Sequence, residues 1–230
     1  MYIHSSPIKL FYCNVEEIQA NIKDANGSGC TNDTKQMIFR AAIVECSAAL
    51  EEYVEQISGM WIKKLEEREA KNCSLPWELR HFILGSISKH SYAEYLLYKD
   101  EAKFIKSLKE HKTNILDDSA NIIANHVVSC AIADSKYPSP GNLKKVFLRF
   151  GIDNLYDRIS GVLKADARFL LQSLMDIRCS VAHSYPSGQQ FTFNDVVAHL
   201  DNTKRFVGAL DKVLFAYFSN FATSDCWPTD

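Results

Sequence analysis

The sequence predicts an all-α fold, and three observations support that prediction. The 230 residues include only nine glycines and six prolines, which is few for a fold with many turns. Apolar residues recur every three or four positions over long stretches, as in helices that bury one face. Strict alternation of apolar and polar residues, which is typical of half-buried strands, is never sustained. Apolar residues make up 47% and charged residues 23%, a globular composition that excludes intrinsic disorder.

The first half of the chain is predicted to contain helices of very different length. Their expected ranges are 14–24, 34–71, 74–89, 91–108 and 118–132. Thr34 is a suitable N-cap for the long second helix, because a threonine side chain accepts a hydrogen bond from a first-turn N–H. Ser74 and Pro76 are typical of a helix start, with the serine as cap and the proline in the first turn. A flexible Gly- and Ser-containing loop separates the first two helices.

The second half begins after a proline-containing linker at 135–141 and continues in shorter helices. Their expected ranges are 142–150, 154–160, 166–182 and 192–218. Gly151 ends the first of these, and residues 185–188 interrupt the chain before the last. Neither half is expected to fold alone, so we predict one helical domain over 34–219. It follows an N-terminal helix and loop (1–33) and precedes a C-terminal tail (220–230).

Charge, cysteine content and motifs exclude several classes of protein. The formal net charge of −2 excludes a protein that coats polyanions over its whole surface, so nucleic-acid contact requires a local patch. No apolar run approaches the ~18 residues of a membrane helix, and the N-terminus lacks the pattern of a signal peptide. Seven cysteines without a C-x-x-C pair favour reduced thiols in the cytoplasm. Neither nucleotide-binding loops nor metal-ligand spacings are present, so no cofactor or metal site is expected.

One cluster has the residue types of a catalytic site. Residues 176–185 read DIRCSVAHSY, so Arg178, His183 and Tyr185 follow the spacing R-x4-H-x-Y at the end of a predicted helix. A helix end is rigid on one side and open on the other, and its dipole favours a cationic imidazole. The spacing alone also fits a structural interpretation, in which Arg178 pairs with Asp176 or a neighbouring helix, His183 caps the helix and Tyr185 packs.

The segment from Arg178 to His183 resembles the signature of HEPN domains, which are all-helical modules of prokaryotic toxins, abortive-infection systems and RNA-processing enzymes. Further resemblances lie at 40–45, 143–152 and 195–218, which match the first helix, the short helix before the motif and the long closing helix. The resemblance covers about 34–219 and implies a HEPN-like helical bundle with extra helices. Cys179 stands where the family often has Asn, Asp or His. This difference motivates an alternative function, a non-catalytic HEPN-like interaction module.

The resemblance implies metal-independent cleavage of RNA by attack of its own 2′-OH. His183 suits proton transfer because histidine titrates near neutral pH, and Arg178 suits the charge that develops on phosphate oxygens. Ser180 or Tyr185 would add hydrogen bonds. The family also implies a homodimer in which both copies of Arg178 and His183 line one cleft. In related toxins paired with a nucleotidyltransferase antitoxin, the matching tyrosine is modified with AMP, so Tyr185 is a candidate modification site and such an antitoxin a candidate partner.

RNA binding requires positive charge near the motif. Residues 136–178 contain eight basic and four acidic side chains, a local charge of +4. We expect a phosphate-binding rim there, and the best candidates are Lys144, Lys145, Arg149 and Arg168. A solvated helix face is the alternative interpretation of the same charges. Tyr137 and Tyr156 are candidates for stacking on a base, although a core position is the simpler expectation for any single aromatic residue.

Overall fold

The computed structural model describes residues 2–27, 29–109, 115–132, 138–183, 189–220 and 227–229. Within these residues the fold is all-α, as predicted, and the one β-like feature is an isolated bridge between Lys71 and Asn121. The helices are α1 (Ser6–Gly27), α2 (Asn32–Glu67), α3 (Trp77–Tyr98), α4 (Glu101–Lys109), α5 (Ala124–Ile132), α6 (Pro140–Arg149), α7 (Leu155–Leu163), α8 (Ala167–His183) and α9 (Phe193–Phe218). None of these described helices is both long and apolar enough to cross a bilayer.

The two long helices α2 and α9 form the centre of the bundle. Phe39 lies beside Phe193 near their first turns, and the ring of Trp61 stacks on Phe218 at 4.1 Å near their last turns. The two helices therefore run in the same direction. Helix α1 packs against both, α5 covers the second half of α2, and α7 and α8 pack against α9. Helix α3 lies outside this layer, on α5 and α6.

A buried carboxylate fastens the N-terminal segment to the bundle centre. Asp211 of α9 is fully buried and accepts hydrogen bonds from the hydroxyls of Tyr2 (2.6 Å), Ser5 (2.5 Å) and Tyr53 (3.0 Å). The Ser5 backbone N–H also donates to it at 3.3 Å. Burial and the nearby carboxylate raise the pKa values of Tyr2 and Tyr53, so both phenols stay protonated donors. The network joins three separate parts of the chain.

Several helix boundaries differ from the predicted ones for local reasons. Helix α1 begins at Ser6 rather than residue 14, because Ile8 and Phe11 extend the same buried face. Thr31, not Thr34, caps α2: its hydroxyl accepts the Thr34 N–H at 3.3 Å. The prediction that Thr34 is the N-cap of α2 was therefore wrong.

The predicted break near residue 90 is also wrong, because α3 continues to Tyr98. Lys99 ends it with a left-handed backbone (φ 55°). Helix α5 starts at Ala124, later than predicted. The segment before α5 is held by the buried Arg80 instead. The Arg80 guanidinium donates to the carbonyls of Ile115 and Leu116 and pairs with Asp118.

Other boundaries agree with the local sequence signals. Gly151 follows α6 with φ 82°, a conformation that glycine adopts without strain. Thr192 and Asp195 form a capping box at the start of α9, since each side chain accepts the other residue's backbone N–H. Residues 135–137 of the predicted linker and the whole of the predicted break at 185–188 lie outside the described residues.

Candidate active site

Helix α8 carries the motif and is anchored along one face. Its start is capped twice: the Ser160 hydroxyl accepts the Ala167 N–H at 3.0 Å, and Asp166 accepts the Phe169 N–H at 2.9 Å. Buried side chains then hold the helix against α9 and α2, and they are Ala167, Leu171, Leu174 and Met175. The fully buried positions end at Met175, while Ile177 and Val181 in the last two turns are partly buried and still pack against the core.

Arg178 and His183 lie in these last two turns. Arg178 is partly buried and follows Leu171 and Leu174 along the packed side of α8. His183 is the last residue of the helix, while its side chain and Tyr185 lie outside the described residues. Five residues of α-helix place the two Cα positions about 140° apart around the axis and about 7.5 Å apart along it. One chain therefore presents the two motif positions on different sides of α8.

The remaining motif side chains have contacts within the helix. The Ser180 hydroxyl donates to the Ile177 carbonyl at 2.8 Å, so its proton is used inside α8 and its oxygen can still accept. Asp176 is exposed and accepts a hydrogen bond from Gln172 at 2.8 Å. Cys179 is partly buried beside them. Ser180 is thus available as an acceptor and not as a second proton donor.

The start of α2 holds the chain segment that returns from the motif. Gln36 exchanges two hydrogen bonds with the backbone of Phe191, at 2.8 and 2.9 Å. The Arg40 guanidinium donates to the Gln189 carbonyl at 3.2 Å. Because residue 189 follows His183 by six positions, these contacts keep the segment beyond the motif at one end of the bundle.

The four candidate phosphate-binding residues do not form one uniform rim. Lys144 of α6 and Arg168 of α8 are exposed and line the same cleft of about 370 Å³. Lys145 is exposed on α6 but is not part of this lining. Arg149 stands apart: its guanidinium donates to the Ala131 carbonyl at 2.7 Å and lies over the Phe82 ring at 4.1 Å. Arg149 therefore connects α3, α5 and α6.

The cleft has mixed charge. Asp153, Asp157 and Asp166 also line it, and Asp166 is already used as the cap of α8. Tyr156 is partly buried there, and its hydroxyl donates to the Pro140 carbonyl at 2.7 Å. Burial raises its pKa. The charge count along the sequence thus overstates the local positive field, and Tyr156 has a structural role.

A buried histidine, which sequence reasoning missed, lies on α9. His199 is only 4% exposed, and among the described atoms its Nδ1 has no hydrogen-bond partner. Burial lowers its pKa to about 4, so the ring is neutral at physiological pH. Val196 and Thr203, three residues before it and four after, are also buried. That spacing was the signal available in the sequence.

Comparison with known families decides the identity of the fold. The RiboL-PSP-HEPN family matches residues 13–215, which is most of the chain. The chain belongs to this HEPN family. The match spans α2 to α8 and most of α9, so it includes the helix that carries Arg178 and His183. The predicted HEPN resemblance is thereby confirmed. No curated protein and no solved structure matches the chain.

Proposed function

We propose that this HEPN protein is an endoribonuclease that cleaves RNA without a metal ion. The observation that carries the proposal is the placement of R-x4-H in the last two turns of an anchored helix. Arg178 is partly exposed there and His183 is the last helical residue. Family membership supports it, because HEPN domains commonly bind RNA and dimerise.

The chemistry needs one proton shuttle and one fixed cation. His183 takes the proton of the 2′-OH, whose oxygen attacks the adjacent phosphorus. The bond from phosphorus to the 5′-oxygen breaks, and that oxygen receives a proton from an acid. Arg178 stabilises the added negative charge on the phosphate oxygens. The products are a 2′,3′-cyclic phosphate and a 5′-OH, and proton transfer of this kind is worth about 10²–10⁴-fold in rate.

A homodimer supplies the second proton-transfer group. One imidazole cannot act as base and acid in the same step, and a two-fold axis that passes close to His183 would bring this residue near its own copy. The separation of residues 178 and 183 around α8, about 140°, supports a cleft that uses both chains. Ser180 would accept a hydrogen bond in this cleft, and Tyr185 would donate one.

Lys144, Lys145 and Arg168 are the proposed phosphate ligands outside the shared catalytic site of the dimer. Residues 168 and 178 are ten positions apart on α8, which is about 15 Å, or roughly four stacked nucleotides. An RNA strand held at Arg168 and Lys144 would therefore reach Arg178. Arg149 is left out of this surface because its guanidinium is occupied by Ala131 and Phe82.

The biological setting is part of the same proposal. A ribonuclease of this kind would act in the cytoplasm as a toxin or an antiviral defence effector. A cognate antitoxin of the nucleotidyltransferase type would silence it by adding AMP to Tyr185. A gain of about one AMP per chain, measured by intact mass after incubation with that partner and ATP, tests this assignment. An unchanged mass contradicts it.

RNA cleavage in the presence of EDTA tests the catalytic assignment. Wild type cleaves, while Arg178→Ala and His183→Ala each lose at least about 10²-fold in rate. Arg205→Ala and His81→Ala are matched controls, because both residues are exposed on other helices, and they retain the wild-type rate. Equal cleavage by wild type and His183→Ala would reject His183 as the catalyst. A wild type that binds RNA without cleaving it would favour the non-catalytic module.

Salt dependence tests the phosphate ligands separately. Lys144→Ala and Arg168→Ala each weaken RNA binding and lower the slope of log affinity against log salt by about 0.7. Lys23→Ala, an exposed lysine on α1, is the control and leaves the slope unchanged. Identical slopes for all variants would remove the cleft from the proposed RNA path.

A further inference from the structure

The second part of α3 and the whole of α4 form an arm that contributes only its base, Leu84 and Ile87, to the packing around the core. The buried residues of α3, Leu79, Arg80 and Ile83, all lie in its first two turns. No described residue from 84 to 108, the range that we call the arm, is buried. Helix α4 packs chiefly against α3. The arm is therefore a helical hairpin that projects from the bundle.

The arm is nevertheless rich in apolar side chains. Leu97 is 75% exposed and Tyr98 is 74% exposed, and about half of each of Tyr92, Leu96 and Ile105 is exposed as well. Residues 92–98 read Tyr-Ala-Glu-Tyr-Leu-Leu-Tyr, which is apolar on nearly every side of the helix. A helix of that kind is normally covered by protein all round. Helix α4 covers one side only.

The energetics of the hairpin also require a further contact. A nine-residue helix such as α4 is marginal alone in water, and its main described support is the stack of Phe104 on Tyr95 at 5.4 Å. The five exposed side chains present on the order of 600 Å² of apolar area. That total, which is spread over several sides of the hairpin, is comparable with the roughly 300–600 Å² of the largest patch on a typical monomer and is about three quarters of the roughly 800 Å² that each partner buries in a standard interface.

The charges of the arm favour a second copy over other occupants. Residues 84–108 contain four lysines and three acidic residues, so no strong charge is present to select RNA, an anionic membrane or an acidic peptide. Glu94 is already paired with Lys103 at 3.0 Å and with His90 at 3.4 Å. An apolar, nearly neutral hairpin is compatible with its own copy, and two such hairpins pack as a four-helix bundle about a two-fold axis.

We propose that the arm docks against the same arm of a second copy of this chain. The interface would centre on Leu96, Leu97 and Tyr98, with Tyr92 and Ile105 beside them. The proposal depends on the exposed area and charge of the arm, and it holds whether or not the chain cleaves RNA.

Sedimentation equilibrium over a range of protein concentrations tests the arm interface. The Leu97→Glu variant is expected to have half the molecular mass of wild type in solution, whether wild type is a dimer or a larger assembly built on that dimer. Leu10→Glu, which changes a residue 44% exposed on α1, is the matched control and keeps the wild-type mass. Leu97 and Leu10 are both exposed, so each variant is expected to keep the wild-type circular dichroism spectrum, which shows that its protomer is folded.

A charge-swap mixture makes the test specific for like-with-like contact. Leu97→Lys alone also loses association, and mixing it with Leu97→Glu restores the wild-type mass, because the proposed interface centres on Leu97 and a residue near a two-fold axis lies next to its own copy. A wild type that is monomeric at every concentration overturns the proposal, as does a folded Leu97→Glu variant with unchanged mass. Binding of a monomeric wild type to phosphatidylcholine vesicles, lost in Leu97→Glu, would assign the arm to a membrane surface instead. RNA cleavage measured in parallel tests the nuclease alone and leaves the mass result unaffected.

Discussion

His199 makes acid stability a quantitative test of the bundle centre. Burial lowers the pKa of its ring from 6.5 to about 4 in the folded chain. Between these two values the unfolded chain binds a proton that the folded chain does not, so stability falls as pH falls through this window. At about 1.36 kcal/mol per pKa unit, His199 alone removes about 2–3 kcal/mol of unfolding free energy between about pH 7 and about pH 4.5.

The perturbation is His199→Leu, which places an apolar side chain of similar size at this buried position. Urea unfolding followed by circular dichroism gives the free energy of unfolding at each pH. Near pH 7 the free energy of unfolding of the variant stays within about 1 kcal/mol of the wild-type value. The Nδ1 atom of the neutral ring has no partner among the described atoms, so replacing the ring costs little.

Between about pH 7 and about pH 4.5 the free energy of unfolding of the variant should fall by about 2–3 kcal/mol less than that of wild type. This difference is the contribution of His199. His81→Leu serves as the control, because His81 is exposed on α3 and its replacement should leave the pH dependence of wild type unchanged. An equal pH dependence of wild type and His199→Leu would refute the assignment of a buried neutral ring to this position.

Three further substitutions test other parts of the structure by their free energies of unfolding. Asp211→Ala leaves the buried hydroxyls of Ser5 and Tyr53 and the partly buried hydroxyl of Tyr2 without their acceptor and should cost about 3–5 kcal/mol, and a loss below about 1 kcal/mol would contradict the network. Gly151→Ala should cost about 1–2 kcal/mol because φ is 82° at this turn, and an unchanged midpoint would argue against that conformation. Arg149→Ala should cost about 1–3 kcal/mol while RNA affinity and its salt slope stay at wild-type values, and a reduced slope would return Arg149 to the RNA surface.

Local sequence signals predicted some elements well. The start of α9 was predictable because Thr192 and Asp195 form a capping box within four residues, and the end of α6 because only Gly151 suits the turn after it. The continuity of α3 was not predictable, since the polar residues near 90 look like a break although a helix needs no apolar side chain there. The late start of α5 depends on Arg80, a residue far away in sequence.

The site was predictable in its motif and less so in its surroundings. Arg178 and His183 fit the motif by linear spacing, and the family match over 13–215 confirms the family, while the catalytic role of these two residues stays a prediction. The contacts of Arg149 were not predictable, because Phe82 and Ala131 come from other helices. Asp211 did leave a signal, since it lies four residues after Val207 and three before Leu214 on an apolar helix face.

The nature of the RNA ends produced in EDTA tests the central claim most directly. Wild type is incubated with an RNA and with the same sequence carrying 2′-O-methyl groups, and the products are analysed by mass spectrometry. The account predicts 2′,3′-cyclic phosphate and 5′-OH ends from the RNA and no cleavage of the methylated strand, because the nucleophile is the substrate's own 2′-OH. Ends with a 5′-phosphate, or cleavage of the methylated strand, would contradict it.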